Sequence, residues 1–124
     1  MKQRPASLPS TTIRSKTGCG NLYVTIAKLD DKPFEVFCHL GKCGGCIQSM
    51  TETIGRLLSW GLRSGASLEE AADQLSMIRC PTPFGDVNLS CADALSKVLQ
   101  AEEKKAAHYE VTHGTDGNDV ASLL

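Results

Sequence analysis

Six cysteines hold most of the chemistry this chain could perform: Cys19, Cys38, Cys43, Cys46, Cys80 and Cys91. Cys43 and Cys46 form a Cys-x-x-Cys pair in the glycine-rich stretch "LGKCGGC", just ahead of a periodic apolar run. That spacing serves a redox dithiol, one half of a zinc site, or a tight turn at a helix start. In a secreted chain the six would suggest three disulfides; in a reducing cytosol they suggest metal ligands, buried thiols or redox pairs. Other chemistry is thin. His39, His108 and His113 are too scattered for a catalytic cluster, and no nucleophile, base and orienting group fall into a readable arrangement. "LGKCGGC" lacks the Ser or Thr and the spacer of a nucleotide-binding phosphate loop, although a glycine-rich helix start can hold an anion.

The elements that must carry these thiols can be read from periodicity. Residues 1–16 have two prolines, scattered Ser and Thr and no apolar period, which predicts a flexible arm. From Asn21 to Lys28, Leu22, Val24 and Ile26 alternate with Tyr23, Thr25 and Ala27; Phe34, Val36, Cys38 and Leu40 continue that period after the turn "LDDKP". The pattern is that of a β-hairpin with one buried face, which places Cys38 inward. Ile47, Met50, Ile54, Leu57, Leu58 and Leu62 then recur at helical spacing, and Gly65 supplies a stop. On this reading their stripe is buried, and Trp60 packs.

"SLEE" opens a second helix as a capping box through Ser67 and Glu70, with Leu68, Ala71, Ala72, Leu75 and Ile78 inward and an end at Pro81, near Cys80. Glu69 and Glu70 are thereby assigned to capping. "SCAD" repeats the box through Ser90 and Asp93 and starts a third helix with Ala94, Leu95, Val98 and Leu99 buried. Residues 108–124 read as a disordered tail. The expectation is an α+β fold over residues 17–107, a small antiparallel sheet packed on about three α-helices.

On this layout Cys19, Cys46, Cys80 and Cys91 all stand at element ends, where they can converge. Four thiolates at one point make a tetrahedral zinc site or, as the less favoured option, an iron or iron–sulfur site. Their spacing is not that of two short zinc knuckles, so buried thiols and the redox pair Cys43 and Cys46 stay open as alternatives.

Taken in order, "RPASLPSTT", "TGCGNLYVTI", "KPFEVFCHLGKCGGC", "GRLLSWGLRSG", "IRCPTP" and "LSCADAL" resemble the TSCPD domain, the C-terminal region of adenosylcobalamin-dependent (class II) ribonucleotide reductases. The resemblance implies that Cys19, Cys46, Cys80 and Cys91 are the family's cysteines, and so a shared metal site. It implies too that Cys43 and Cys38 are departures from the family pattern. The naming motif reads Leu89, Ser90, Cys91, Ala92, Asp93 here, with its Thr and Pro replaced.

A complete reductase needs a barrel, a radical cysteine and a cobalamin site, which 124 residues cannot house, and no cysteine follows Cys91 for a swinging-tail shuttle. The expected role is therefore a stand-alone, metal-stabilised accessory module that binds a larger redox enzyme or a reductase subunit. A thiol redox subunit using Cys43 and Cys46 is the alternative. A formal charge of −1 argues against nucleic acid, and no run is long enough to cross a membrane. The expected location is the cytoplasm; the oligomeric state is open, with a homo-oligomer among the options.

Overall fold

A computed structural model describes residues 3–41 and 45–113, with residues 106–113 as backbone only. Its elements are β1 (Ser10–Thr17), β2 (Gly20–Leu29), β3 (Lys32–Leu40), α1 (Gly45–Arg63), α2 (Leu68–Leu75) and α3 (Cys91–His113). The strands form an antiparallel meander in the order β1-β2-β3. The fold is α+β, as the residue pattern predicts.

β2 and β3 form the expected hairpin. Asp30 and Asp31, with φ of 53° and 64°, make its two-residue turn, and Leu29 pairs with Lys32. One face of the sheet carries Leu22, Val24, Ile26, Val36 and Leu40, which pack with Leu68, Ala72, Ala94, Leu95 and Leu99 of the helices in a single core. Cys38 packs against that core, and burial pushes its thiol up to about 12, so it stays protonated.

The predicted flexible arm is replaced in part by β1. Its inward positions are largely hydroxyl-bearing, with Ile13 the apolar one, so no apolar alternation marks it; it forms because β-branched Thr11, Thr12 and Ile13 suit an edge strand. Thr12 and Thr25 hydroxyls meet across the pair at 2.8 Å, Pro9 O accepts from Lys28 N at 2.9 Å, and Arg4 Nε donates to the buried Glu35 at 2.7 Å. Arg63 approaches the same carboxylate at 3.7 Å, so Glu35 is balanced from two sides. At the far end, α3 continues to His113, through the start of the predicted tail; residues 114–124 lie outside the described residues.

α1 buries only part of the stripe that its periodicity selects: Leu62 joins the core and Ile54 and Leu58 pack against it. Its buried residues are Thr51, Gly55 and Leu62, while Met50, Leu57 and Trp60 are each 61% exposed and Ile47 is 38% exposed. The helix instead lies along the outer backbone edge of β3. The Ser59 hydroxyl accepts from Val36 N and donates to Val36 O, both at 3.0 Å, and the Gln48 amide bonds both Leu40 N and Leu40 O. Helix α1 thus satisfies edge groups that would otherwise template another strand. Gly55 permits this approach, since a Cβ there would stand 3.2 Å from Val36 O. Ser59→Ala should leave both Val36 groups short of partners and cost about 1–3 kcal/mol, read as a lower urea midpoint at unchanged slope.

Gly65 ends α1 as expected, in a left-handed conformation (φ 112°) with Ala66 N bonded to Gly61 O at 2.9 Å. The capping box of α2 forms as read: Glu70 N donates to Ser67 Oγ at 3.0 Å and Ser67 N to Glu70 Oε1 at 2.9 Å. α2 nevertheless stops at Leu75, well before Pro81, and Ile78 is exposed. The cause lies in α3: Asp93 Oδ1 accepts the Met77 N–H at 2.9 Å, with Met77 at φ 65°, which turns the chain out of the helix.

Candidate functional site

Three of the four element-end cysteines come together. Cys19 sits in the turn between β1 and β2, where its N–H donates to Thr17 Oγ1 at 3.1 Å and the same hydroxyl donates to Gly20 O at 2.8 Å. Cys91 opens α3, and its thiol reaches Thr17 Oγ1 at 3.5 Å. Cys80 arrives on the loop between α2 and α3 rather than at a helix end. The Thr82 hydroxyl lies between it and Cys19, 3.9 Å from Cys80 Sγ and 3.7 Å from Cys19 Sγ.

Several contacts bring the Cys80 loop to this corner. Cys80 N donates to Leu89 O at 3.1 Å, and Phe84 and Asn88 pair as a small bridge. The buried Asn88 amide reaches back to Lys16 O at 2.6 Å, joining the loop to β1. Gly18 accepts the loop's backbone directly: a Cβ there would overlap the Thr82 carbonyl oxygen.

Asp93, 2% exposed, anchors the other side. Its N–H donates to Ser90 Oγ at 3.0 Å, which is half of the expected capping box. Its carboxylate does not close that box. It accepts from Leu89 N at 3.1 Å, Met77 N at 2.9 Å and Lys97 Nζ at 3.0 Å. Burial works to raise the Asp93 pKa, but the two backbone donors and the ammonium together hold it below the usual carboxylate value.

Burial raises the Cys91 pKa, and the neighbouring Cys19 and Cys80 add to the rise, while the Thr17 hydroxyl opposes it. The chemical sense is plain: crowded thiols resist ionising together until a cation joins them. The donor types suit zinc, with one thiol at a helix N-terminus. As positioned, though, no group of three or more His, Cys, Asp or Glu side chains among the described residues could hold a metal ion.

Cys46 is exposed on the first turn of α1, and the neighbours that act on Cys91 are Thr17, Cys19 and Cys80. The structure therefore assembles a trio, and the expected four-cysteine cluster is not seen. Cys43 lies outside the described residues, so its pairing with Cys46 has no geometry here. Trp60, expected to pack, stands exposed between α1 and the outer face of β3, where a groove of about 920 Å³ is also lined by Phe37, His39, Arg56 and Arg63. The roles of Thr17 and Thr82 escape sequence reasoning, as do the contacts of Asp93 to Met77 and Leu89 beyond its predicted place in the cap; the glycine before Cys19 is the available signal.

A family model for the TSCPD domain matches residues 1–103. The chain is a member of the TSCPD domain family. Membership supports a relation to ribonucleotide reductase. The match begins at residue 1 and so takes in the segment that composition reads as an arm, in which β1 lies. Curated proteins and solved structures supply no match to this TSCPD chain. Among its described residues no helix is long and apolar enough to cross a membrane.

Proposed function

We propose that this TSCPD domain is a metal-stabilised accessory module that binds a larger redox enzyme or a ribonucleotide reductase subunit in the cytoplasm. The observation that carries the reading is the convergence of Cys19, Cys80 and Cys91 from three separate segments of the chain. Zinc is the ion the thiol donors favour, with iron the lesser candidate, and Cys46 is the proposed fourth ligand. A bound cation would supply charge neutralisation for the thiolates and would tie the Cys80 loop to the sheet. The role is binding rather than catalysis, and no cobalamin site is assigned to this chain.

Protein purified without chelators should carry about one equivalent of zinc. Cys19→Ser, Cys80→Ser, Cys91→Ser and Cys46→Ser should each lose metal and lower the melting temperature. Protein that holds neither zinc nor iron, with an unchanged melting temperature in Cys46→Ser, would remove the metal reading.

A second reading rests on the exposure of Cys46 on the first turn of α1, where a partner can reach its sulfur. In it, Cys43 and Cys46 exchange electrons with a partner enzyme. Differential alkylation across a series of redox potentials should then reveal a reversible Cys43–Cys46 disulfide; if none forms, this reading fails.

A further inference from the structure

The apolar stripe of α1, which the core covers at Leu62 and in part at Ile54 and Leu58 but leaves open at Leu57, forms one wall of a groove whose other wall is α2. Ile54, Leu57, Leu58 and Leu62 line it from α1, and Ala71 and Leu75 from α2. Its volume is about 590 Å³, room for several apolar side chains, and Leu57 is among its exposed wall residues. An amphipathic helix laid into such a groove is a common mode of recognition.

The two rims differ in charge. Glu70 lines the α2 side and Asp73 and Glu69 follow it on the exposed surface of that helix, which has no basic residue. The hydrogen bonds from Ser67 hold the Glu70 pKa below the usual carboxylate value, so this rim stays negative near neutral pH. On the α1 side the neighbouring exposed residues Thr53 and Ser64 are uncharged. A second copy of this chain offers a poor complement, because the α1 cations Arg56 and Arg63 line the β3 side of the helix, away from its apolar stripe.

We infer that this groove seats an amphipathic helix of the partner protein, one whose apolar stripe is bordered by basic residues along the edge that faces α2. The inference rests on the binding role proposed above and names the chemistry of its partner. Charge on one rim only also fixes which way around the helix lies.

Trp60 lines the other groove, on the β3 side of α1, so occupancy of this one is read by titration calorimetry. The probe is an 18-residue amidated peptide with Leu at i, i+3, i+4 and i+7 spacing and Lys elsewhere; its counterpart carries Glu at every Lys position. The Lys peptide should bind saturably at one per chain, and the Glu peptide at least tenfold more weakly. Leu57→Asp should weaken the Lys peptide at least tenfold despite its added negative charge, and Asp73→Lys should weaken it severalfold. Leu57→Ser serves if Leu57→Asp does not fold.

Equal binding of the two peptides, or undiminished binding to the Leu57 variants, overturns the inference. So does a wild-type dimer in sedimentation that a Leu57 variant converts to monomer, since a second copy would then own the groove. Metal content measured on the same samples keeps the two proposals separate. Zinc-loaded protein that ignores the Lys peptide sinks the groove assignment alone, whereas metal-free protein that binds it sinks the metal reading alone.

Discussion

Gly18→Ala should lift the Cys80 loop off the sheet and dismantle the thiol corner. The added methyl would occupy the space of the Thr82 carbonyl oxygen, and that atom is backbone, so no side-chain rotation can relieve the overlap. The loop must retreat. With it go the approach of Thr82 to Cys19 and the bond from Asn88 to Lys16. A close-packed contact forced open in this way costs about 1–3 kcal/mol. The larger effect is on the site: alkylation of Cys19, Cys80 and Cys91 in native protein should accelerate, and on the proposed metal reading the zinc content should fall well below one equivalent. Gly45→Ala is the control, because a Cβ there meets nothing within 4 Å. Unchanged alkylation rates in Gly18→Ala would contradict this account of the corner.

Asp93→Ala should be the most destabilising of the single substitutions considered for this loop. It strips acceptors from Met77 N and Leu89 N and leaves Lys97 without its carboxylate. Charge-assisted bonds to a buried carboxylate, together with the penalty for stranded donors, make the expected loss about 3 kcal/mol.

The pH dependence follows from the direction of the shift. Asp93 has a lower pKa folded than unfolded, so its contribution is fully present above the unfolded value of about 3.9. It is lost as pH falls through the folded value. Wild type and Asp93→Asn should therefore differ most near neutrality and converge below about pH 4. A gap in denaturation midpoint that stayed constant from pH 7 to pH 3 would refute the assignment.

Local signals were legible wherever one short segment carries its own instructions. The β2–β3 alternation, the Ser67 and Glu70 box and Gly65 at the end of α1 each use nearby residues, and each appears as read. Long-range decisions were not legible. The end of α2 is set by Asp93, sixteen residues beyond Met77, and β1 needs its partner strand because Thr and Ser fill most of its inward positions. Helical spacing picked out the apolar stripe of α1 but could not say that the core covers it at Leu62 and leaves Met50 and Leu57 exposed. At the site, ranking cysteines by element ends found the trio of Cys19, Cys80 and Cys91. It could not show that Thr17 and Thr82 stand among them, nor that Cys46 would face solvent.

The consecutive strand order carries a consequence for how the molecule assembles. Each strand pairs with its neighbour in the chain, so the sheet closes only short loops and can form within about 1–10 μs per hairpin. The thiol corner instead joins residues 63 and 74 positions apart, as Cys19 meets Thr82 and Thr17 meets Cys91. Such closures carry the larger entropy cost and follow the local pairings. The sheet is thus a template that waits for its last loop, and on the metal reading proposed above an ion would act at the final step of maturation rather than the first.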